Sequence, residues 1–363
     1  MRVLIAPDAL KGAISQQLFA VGIAAGLRRA LPDAEVIGCP LADGGEGTAA
    51  VVQAALGGRL VRVPVRDAYG RPRSAGVLVL PDGTWVIEAA EGPGFVPEAE
   101  RPQSAASATS AGLGDMLAAA IKGGAERVWV GLGGTGSTDG GWGLLQALGA
   151  AGDGVALRLQ PFPVALTAWC DAMVPATGPR GAVMRYGPQK GVAPGELAAL
   201  AATVDERGAA LEAAAGRPLR QQPGAGAAGG AGMALAALGG QLVPGAEAVA
   251  RVVHLDDWLD VADVVVTGEG RLDESSLDGK VVGTVLAHAS TRSVPAVALV
   301  GEFGSAAAME AAYAAGLVAA FPLALGPQTR EAAMAQSAYW AEQAAYHAGR
   351  WLTRWPWQPI GKA

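Results

Sequence analysis

The chain has 363 residues, a net charge of −6 and 51% apolar residues. This length exceeds what one hydrophobic core usually serves, so two domains are predicted. The apolar content excludes a disordered chain, and the 53 glycines show no G-X-Y period, which excludes collagen. The negative charge, with no run of Lys and Arg longer than a pair, predicts no nucleic-acid partner.

The N-terminus MRVLIAPDALKG begins with a strand and shows no signal-peptide pattern. No apolar stretch approaches the roughly 18 residues of a membrane span. Cys39 and Cys170 are too few and too far apart for a disulfide framework or a thiolate metal site. We therefore expect an unprocessed, cytoplasmic protein with no membrane partner.

Both ends of the chain show the pattern of a parallel α/β fold. Residues 2–8 form a buried-type strand, 15–31 an amphipathic helix with basic residues in its last turn, and 34–42 a second strand. Further apolar strands separated by helical stretches are predicted at 262–270, 295–304 and 316–324. We predict that residues 1–60 and 241–363 together form one parallel three-layer α/β domain.

The middle of the chain differs. From residue 61 the sequence alternates between apolar and polar residues, and the turns YGRP and PDGT indicate antiparallel hairpins. We predict that residues 61–240 are an inserted, mixed α/β domain. Ligands of open α/β sheets bind outside the carboxyl ends of the strands, so the loops after Asp8, Ala42 and Thr267 should converge on a cleft facing the insert.

Two further segments leave their role open. The glycine-rich stretch 221–245 is either a flexible linker or a loop that leads into a helix near a ligand. The tail from Thr329 to Trp357 is predicted to form one helix, and its aromatic residues favour internal packing or a homodimer contact.

Three short strands lead into turns rich in glycine and acid, at 40–47, 130–141 and 264–280. Glycine lets backbone N–H groups approach a phosphate, and a following helix N-terminus favours negative charge. An acid beside such a turn would repel a bare phosphate, so it is better explained by a bound Mg²⁺ or by orientation of a hydroxyl.

The segment GLGGTG at 131–136 matches G-x-G-x-x-G after a strand. In dinucleotide-binding folds the third glycine lies at the start of the helix, whereas here STDGG intervenes and Asp139 would face the pyrophosphate. A substrate- or phosphate-binding loop is favoured; dinucleotide binding and a purely structural turn stay open.

Several other enzyme classes lack sequence support. There is no Walker A string, no protein-kinase H-R-D or D-F-G, and no G-x-S-x-G. The three histidines show no zinc-ligand spacing. The chain instead has acids that follow apolar segments and basic residues within glycine-rich segments. These residues are Asp8, Asp43, Asp139, Asp171, Asp273, Lys11, Lys190, Arg271 and Lys280. Phosphoryl transfer needs such positioned cations, a metal held by acid, and an oriented acceptor.

Nine strings extend this interpretation across nearly the whole chain: PDALKGAIS, ADGGEGT, ATSAGLGDML, GLGGTGSTDGGWGLLQALGA, CDAMVPATGPRGA, YGPQKG, PGAGAAGGAGMAL, TGEGRLDESSLDGKVVG and GLVAAFPLALG. In order and approximate spacing they resemble the bacterial glycerate kinase family that lacks a Walker A loop. The resemblance implies ATP-dependent phosphorylation of D-glycerate with Mg²⁺, and it favours 2-phosphoglycerate as product. It also implies a flavodoxin-like domain with an insert resembling restriction endonucleases.

From this resemblance and the motifs we assign hypothetical roles. Asp43, Asp273 and Lys11 are the catalytic candidates, and the two aspartates are also the candidate metal ligands. The candidate nucleotide-binding residues are Lys11, Gly44, Gly45, Lys190, Gly268, Glu269 and Lys280. The candidate D-glycerate-binding residues are Thr109, Ser110, Gly133, Gly134, Thr135, Ser137, Asp139, Asp171 and Arg271.

Two alternatives stay open at this stage. An NAD-dependent oxidoreductase would use the glycine loop 131–136. A non-catalytic ligand sensor on a kinase scaffold is also conceivable, because Ala9 and Val174 stand where the family commonly has a hydroxyl and an Asn.

Overall fold

The computed structural model describes residues 1–150 and 157–354. Its strands in chain order are β1 (Arg2–Ile5), β2 (Glu35–Gly38), β3 (Arg59–Arg66), β4 (Pro72–Val79), β5 (Thr84–Glu88), β6 (Arg127–Gly131), β7 (Ala165–Cys170), β8 (Gln241–Pro244), β9 (Val264–Leu272), β10 (Ala296–Phe303) and β11 (Leu317–Pro322). Its α-helices are α1 (Gln16–Ala30), α2 (Thr48–Leu56), α3 (Ala111–Lys122), α4 (Trp142–Ala147), α5 (Ala182–Tyr186), α6 (Leu197–Ala215), α7 (Ala227–Ala237), α8 (Gly245–Val252), α9 (Leu255–Val261), α10 (Val281–Thr291), α11 (Ala306–Ala314), α12 (Arg330–Ala335) and α13 (Ser337–Leu352).

The chain divides into two compact units. Unit 1 comprises Met1–Ala42 and the chain from Ala246 onward, and unit 2 comprises Asp43–Gly245. The first boundary therefore lies near residue 42, whereas the sequence placed it near residue 60. The reason is that α2 packs against β4 and β5 and so belongs with unit 2.

Unit 1 contains a five-stranded, fully parallel sheet in the order β2-β1-β9-β10-β11. Numbered within the unit, this is the order 2-1-3-4-5 of flavodoxin-like folds. The predicted parallel α/β fold is thus confirmed. Its central strands are continuous apolar runs because helices cover both faces of a parallel sheet.

Helix α1 is stabilised both by residues at its two ends and by close packing against α13. Ser15 Oγ accepts a hydrogen bond from Leu18 N at the start of the helix, and Arg28 and Arg29 lie in its last turn. Gly22 and Gly26 lie against α13, and a Cβ at Gly26 would overlap the backbone of that helix. The two helices therefore pack with their backbones in close approach.

The predicted single tail helix is wrong. Two helices, α12 and α13, are separated at Gln336, whose backbone leaves helical geometry with φ −115° and ψ 21°. The Ser337 hydroxyl donates to the carbonyls of Ala333 and Met334, which competes with the regular helical pattern at this break. The expected helix end at Trp357 lies outside the described residues.

Unit 2 contains a six-stranded mixed sheet in the order β3-β4-β5-β6-β7-β8. Strands β3, β4 and β5 pair antiparallel, as the hairpin signals predicted, and β5 to β8 pair parallel. The glycine-rich stretch leads into α7, which is buried, so the interpretation as a flexible linker is wrong. Across the described part of the chain, no helix is both long and apolar enough to cross a membrane.

Candidate active site

Unit 1 has a cavity of about 690 Å³ at the carboxyl ends of its parallel strands. The loop after β1, the ends of β9 and β10, and the segment after β11 contribute to its walls. The charged residues that line it are Asp8, Lys11, Glu269, Arg271, Asp273, Lys280, Glu302 and Arg330. Five residues predicted from sequence are therefore brought together, because parallel strands end at a common edge.

Asp273 is held in place by the turn that follows β9. Its Oδ1 accepts hydrogen bonds from the backbone N–H (2.9 Å) and the hydroxyl (2.6 Å) of Ser275, and Lys280 Nζ donates to that same hydroxyl (2.7 Å). Burial alone would raise the pKa of Asp273, but these hydrogen bonds and the charges of Lys280 and Arg271 outweigh it and lower the pKa. Asp273 is thus an ionised carboxylate at neutral pH.

Glu269, in the second half of β9, is a buried acid of the cavity with a raised pKa. It is 7% exposed, and its Oε1 has no hydrogen-bond partner among the described residues. Burial raises its pKa to about 7 against the lowering effect of a hydrogen bond from Ser276 and of the Lys280 charge, and the charges of Asp8 and Asp273 add to the rise. A buried carboxylate oxygen without a donor is suited to a ligand that brings positive charge or a proton.

Arg271 lies half exposed in this cavity. Its guanidinium approaches Asp273 Oδ2 at 3.8 Å and Glu302 Oε1 at 3.6 Å, which are long ion pairs. Such exposed pairs contribute little to stability. The guanidinium is therefore available to an anionic ligand at little cost to the fold.

Asp139 in unit 2 has the opposite environment. Its carboxylate accepts hydrogen bonds from the Ser110 N–H (2.9 Å) and hydroxyl (3.0 Å), from Gly141 N–H (3.1 Å) and Gly143 N–H (2.9 Å), and a longer one from the Thr109 hydroxyl (3.4 Å). These bonds use most of its acceptor capacity. Asp139 thereby fixes the start of α4 and the loop that carries Thr109 and Ser110.

A smaller cavity of about 350 Å³ lies in unit 2, lined in part by Gly134, Thr135, Asp171 and Lys190. Lys190 Nζ donates to the carbonyl of Ser137 (2.7 Å) and to the Thr135 hydroxyl (3.3 Å). Burial lowers the pKa of Lys190 to about 8, although the charges of Asp171 and Asp139 oppose that shift. Lys190 thus lies with the predicted glycerate loop in unit 2, whereas most of the predicted nucleotide residues lie in unit 1.

The glycine turn at 43–45 also belongs to unit 2. Asp43 is 2% exposed and accepts from the Gly45 N–H (3.0 Å), while the Gly44 carbonyl accepts from the Gly133 N–H (3.1 Å). The two predicted metal ligands, Asp43 and Asp273, are therefore in different units. No set of three or more potential metal ligands is clustered in the described ranges 1–150 and 157–354.

The structure also adds residues that motif analysis did not assign to the site. Asp8 is an acid after a strand to which the motifs assign no role, and Glu302 lies within β10, directly after Gly301. Trp340, from α13, lines the unit 1 cavity as well. No local pattern marks Trp340, because only the packing of α13 brings it to the loops. In unit 2, α4 begins at Trp142, so the third glycine of 131–136 does not open a helix as in dinucleotide folds.

Comparisons with known proteins show the family to which the chain belongs. The model of the glycerate kinase family matches residues 3–156 and 153–353. The glycerate kinase of Bacillus subtilis (strain 168) is 34% identical over 95% of this chain and 96% of its own, and the glycerate 2-kinase of Escherichia coli (strain K12) is 33% identical over 83% and 85%. A crystal structure assigned as glycerate kinase 2 from Salmonella typhimurium LT2 matches with a TM-score of 0.77 and 31% identity, covering 97% of this chain and 98% of that one. The chain belongs to the glycerate kinase family.

Proposed function

We propose that this kinase transfers the γ-phosphate of ATP to a hydroxyl of D-glycerate, giving phosphoglycerate, with 2-phosphoglycerate favoured, and ADP. The observation that carries the proposal is the unit 1 cavity, where Lys11, Arg271 and Lys280 line the same space as Glu269 and Asp273. Phosphoryl transfer depends chiefly on positioned cations and on acids that hold a metal or orient the acceptor.

In this proposal the triphosphate binds in unit 1. Lys11 and Lys280 neutralise phosphate oxygens as point charges, and the Arg271 fork binds a phosphate or a carboxylate in two-point fashion. Mg²⁺ bound with a nucleotide usually needs only one or two protein carboxylates. The unpartnered Glu269 Oε1 and the ionised Asp273 fit that requirement, and the ion would supply further neutralisation of phosphate charge.

We place D-glycerate at the smaller cavity of unit 2. Lys190 and the Thr135 hydroxyl offer donors for its carboxylate and hydroxyls, and Asp171 offers an acceptor. Asp139 acts as a positioning residue, because its oxygens already accept from the backbone and from Ser110.

The reaction forms one bond and breaks one. The glycerate hydroxyl oxygen attacks the γ-phosphorus, and the bond from that phosphorus to the β,γ-bridging oxygen breaks, so ADP leaves with the electron pair. The hydroxyl proton passes to a carboxylate, for which Asp43 and Asp273 are the candidates, and then to solvent.

A coupled assay tests this proposal. The protein is given ATP, Mg²⁺ and D-glycerate with enolase and without phosphoglycerate mutase. Immediate formation of phosphoenolpyruvate supports a glycerate 2-kinase. ADP without phosphoenolpyruvate until mutase is added would show the 3-phosphate instead, and no ADP above background would contradict the proposed reaction.

A further inference from the structure

One wall of the unit 1 cavity is apolar. Helices α12 and α13 contribute Ala333, Met334 and Trp340, the loop after β1 contributes Leu10 and Ala13, and Leu323 follows β11. Leu10 and Leu323 are almost fully buried in the core of unit 1, and Trp340 packs against the same core. The charged side chains come from the ends of β9 and β10, the loop after β1 and Lys280, and α12 contributes one charge, Arg330, at its first residue.

One buried donor in this wall lacks a partner. Trp340 Nε1 has no hydrogen-bond partner among the residues that the structure describes. The neighbouring Ser337 hydroxyl is occupied, since it donates to the carbonyls of Ala333 and Met334. Native proteins rarely leave a buried N–H unsatisfied, so an acceptor atom on a bound ligand is expected here.

Size and chemistry select the ligand. A cavity of about 690 Å³ is far larger than D-glycerate needs and is in the range that holds a nucleotide-sized molecule. A planar heteroaromatic ring can be enclosed by Leu, Ala and Met side chains, contact an indole, and offer an unprotonated ring nitrogen to an N–H donor. Sugar and phosphate groups would leave their own polar atoms unsatisfied against this wall.

We propose that the apolar wall formed by Leu10, Ala13, Leu323, Ala333, Met334 and Trp340 binds the purine base of the nucleotide, with Trp340 Nε1 donating to a ring nitrogen. This inference rests on the proposed function, in which the triphosphate binds at the charged side of the same cavity. It assigns the direction in which the nucleotide lies: base toward α12 and α13, phosphates toward β9 and Lys280.

Trp340→Phe tests the proposal because it keeps an aromatic ring and removes the N–H. Loss of one neutral hydrogen bond should raise the KM for ATP about tenfold. Inorganic tripolyphosphate, which has no base, should compete with ATP with an inhibition constant that the substitution changes less than about twofold. The matched control is Trp351→Phe, on the same helix but outside the cavity lining, and it should leave both constants unchanged.

A second variant, Ala333→Leu, narrows the cavity at the apolar wall and leaves Trp340 in place. It should also raise the KM for ATP, while the inhibition constant of tripolyphosphate stays unchanged. If both variants leave the KM for ATP within about twofold of wild type, the base site is wrong while the kinase function stands. Equal weakening of ATP and tripolyphosphate would also overturn it, because it would indicate general distortion of the cavity. If the wild-type protein does not consume ATP, the proposed function itself fails, and this inference fails with it.

Discussion

Glu269 in unit 1 and Asp139 in unit 2 are both 7% exposed, and both follow the apolar part of a parallel strand. Their surroundings differ in the number of donors. Asp139 accepts from three backbone N–H groups, those of Ser110, Gly141 and Gly143, from the Ser110 hydroxyl, and at longer range from the Thr109 hydroxyl. Glu269 keeps an oxygen with no donor in the described residues.

The difference shows how buried carboxylates serve two purposes. A buried carboxylate that accepts hydrogen bonds at most of its lone pairs holds the surrounding backbone in place, because each bond compensates for hydration lost on burial. A buried carboxylate with too few donors is destabilising in the ligand-free protein and gains partners only when a ligand arrives. The comparison therefore predicts function at Glu269 and its neighbours and structure at Asp139.

The largest effect should come from the acids proposed for chemistry. Asp273→Asn and Asp43→Asn should each lower kcat by about 100-fold or more, because an amide neither accepts the hydroxyl proton nor binds Mg²⁺ as a carboxylate does. Circular dichroism should show an unchanged fold. Steady-state kinetics near wild type in both variants would contradict the assignment.

Glu269→Gln should stabilise the ligand-free protein at high pH. The folded-state pKa of about 7 lies above the ordinary value of 4.5, so the folded state holds the proton more tightly. Stability therefore falls as pH rises from 4.5 to 7 and is then constant. Gln does not titrate. The change in the free energy of unfolding caused by Glu269→Gln should therefore be more favourable at pH 8 than at pH 4 by up to about 3 kcal/mol.

Urea unfolding of both proteins at the two pH values measures this gain. A Glu269→Gln effect that is independent of pH would show that the carboxyl has an ordinary pKa. In that case Glu269 and Asp139 would not differ in how their surroundings affect the carboxylate.

Asp139→Asn should destabilise unit 2 by about 2 kcal/mol. The substitution replaces one acceptor oxygen with an NH₂ that faces backbone donors, and it leaves buried N–H groups without partners. Urea unfolding measures the change. The control is Asp205→Asn, whose carboxylate is 54% exposed and pairs with Arg220, and which should change stability by less than about 0.5 kcal/mol.

The smallest effect concerns a surface cluster in unit 1. His288 lies between two carboxylates, with Nδ1 2.6 Å from Asp256 and Nε2 2.8 Å from Glu247. Burial alone would lower the pKa of His288, but these hydrogen bonds and charges outweigh it and raise the pKa above 6.5. The resulting stability is fully present below pH 6.5 and is lost as pH rises through the folded-state pKa.

His288→Gln should therefore cost about 1 kcal/mol at pH 6, after allowance for solvent screening of the partly exposed carboxylates, and less at pH 9. Thermal unfolding at the two pH values measures this difference. His347→Gln, at an exposed histidine of α13, is the control substitution and should have almost no effect on stability. A larger loss at pH 9 than at pH 6 for His288→Gln would contradict the assigned direction of its pKa.

Much of the fold could be predicted from local patterns. The parallel α/β character of unit 1 follows from continuous apolar runs, and the hairpins β3 to β5 follow from the turns YGRP and PDGT, because these signals lie within a few neighbouring residues. The flavodoxin-like type of the sheet was implied only by the family resemblance. The break at Gln336 was missed, since it depends on the Ser337 hydroxyl bonding to the backbone.

The site was predicted less completely. Lys11, Arg271, Asp273 and Lys280 were found because they sit in glycine-rich turns after strands. The placement of Asp43 in unit 2 could not be read from sequence, because it depends on a main-chain contact between Gly44 and Gly133. The contrast between Glu269 and Asp139 was equally hidden, since the number of donors around a carboxylate is a property of tertiary packing.

Hydrogen exchange of the wild-type protein with separate ligands tests the central claim that the two units bind different substrates. A non-hydrolysable ATP analogue with Mg²⁺ should protect backbone amides in unit 1 at residues 8–15 and 269–280. D-Glycerate alone should protect residues 133–139 and 186–190 in unit 2. Protection by the nucleotide confined to the unit 2 segments would contradict the account.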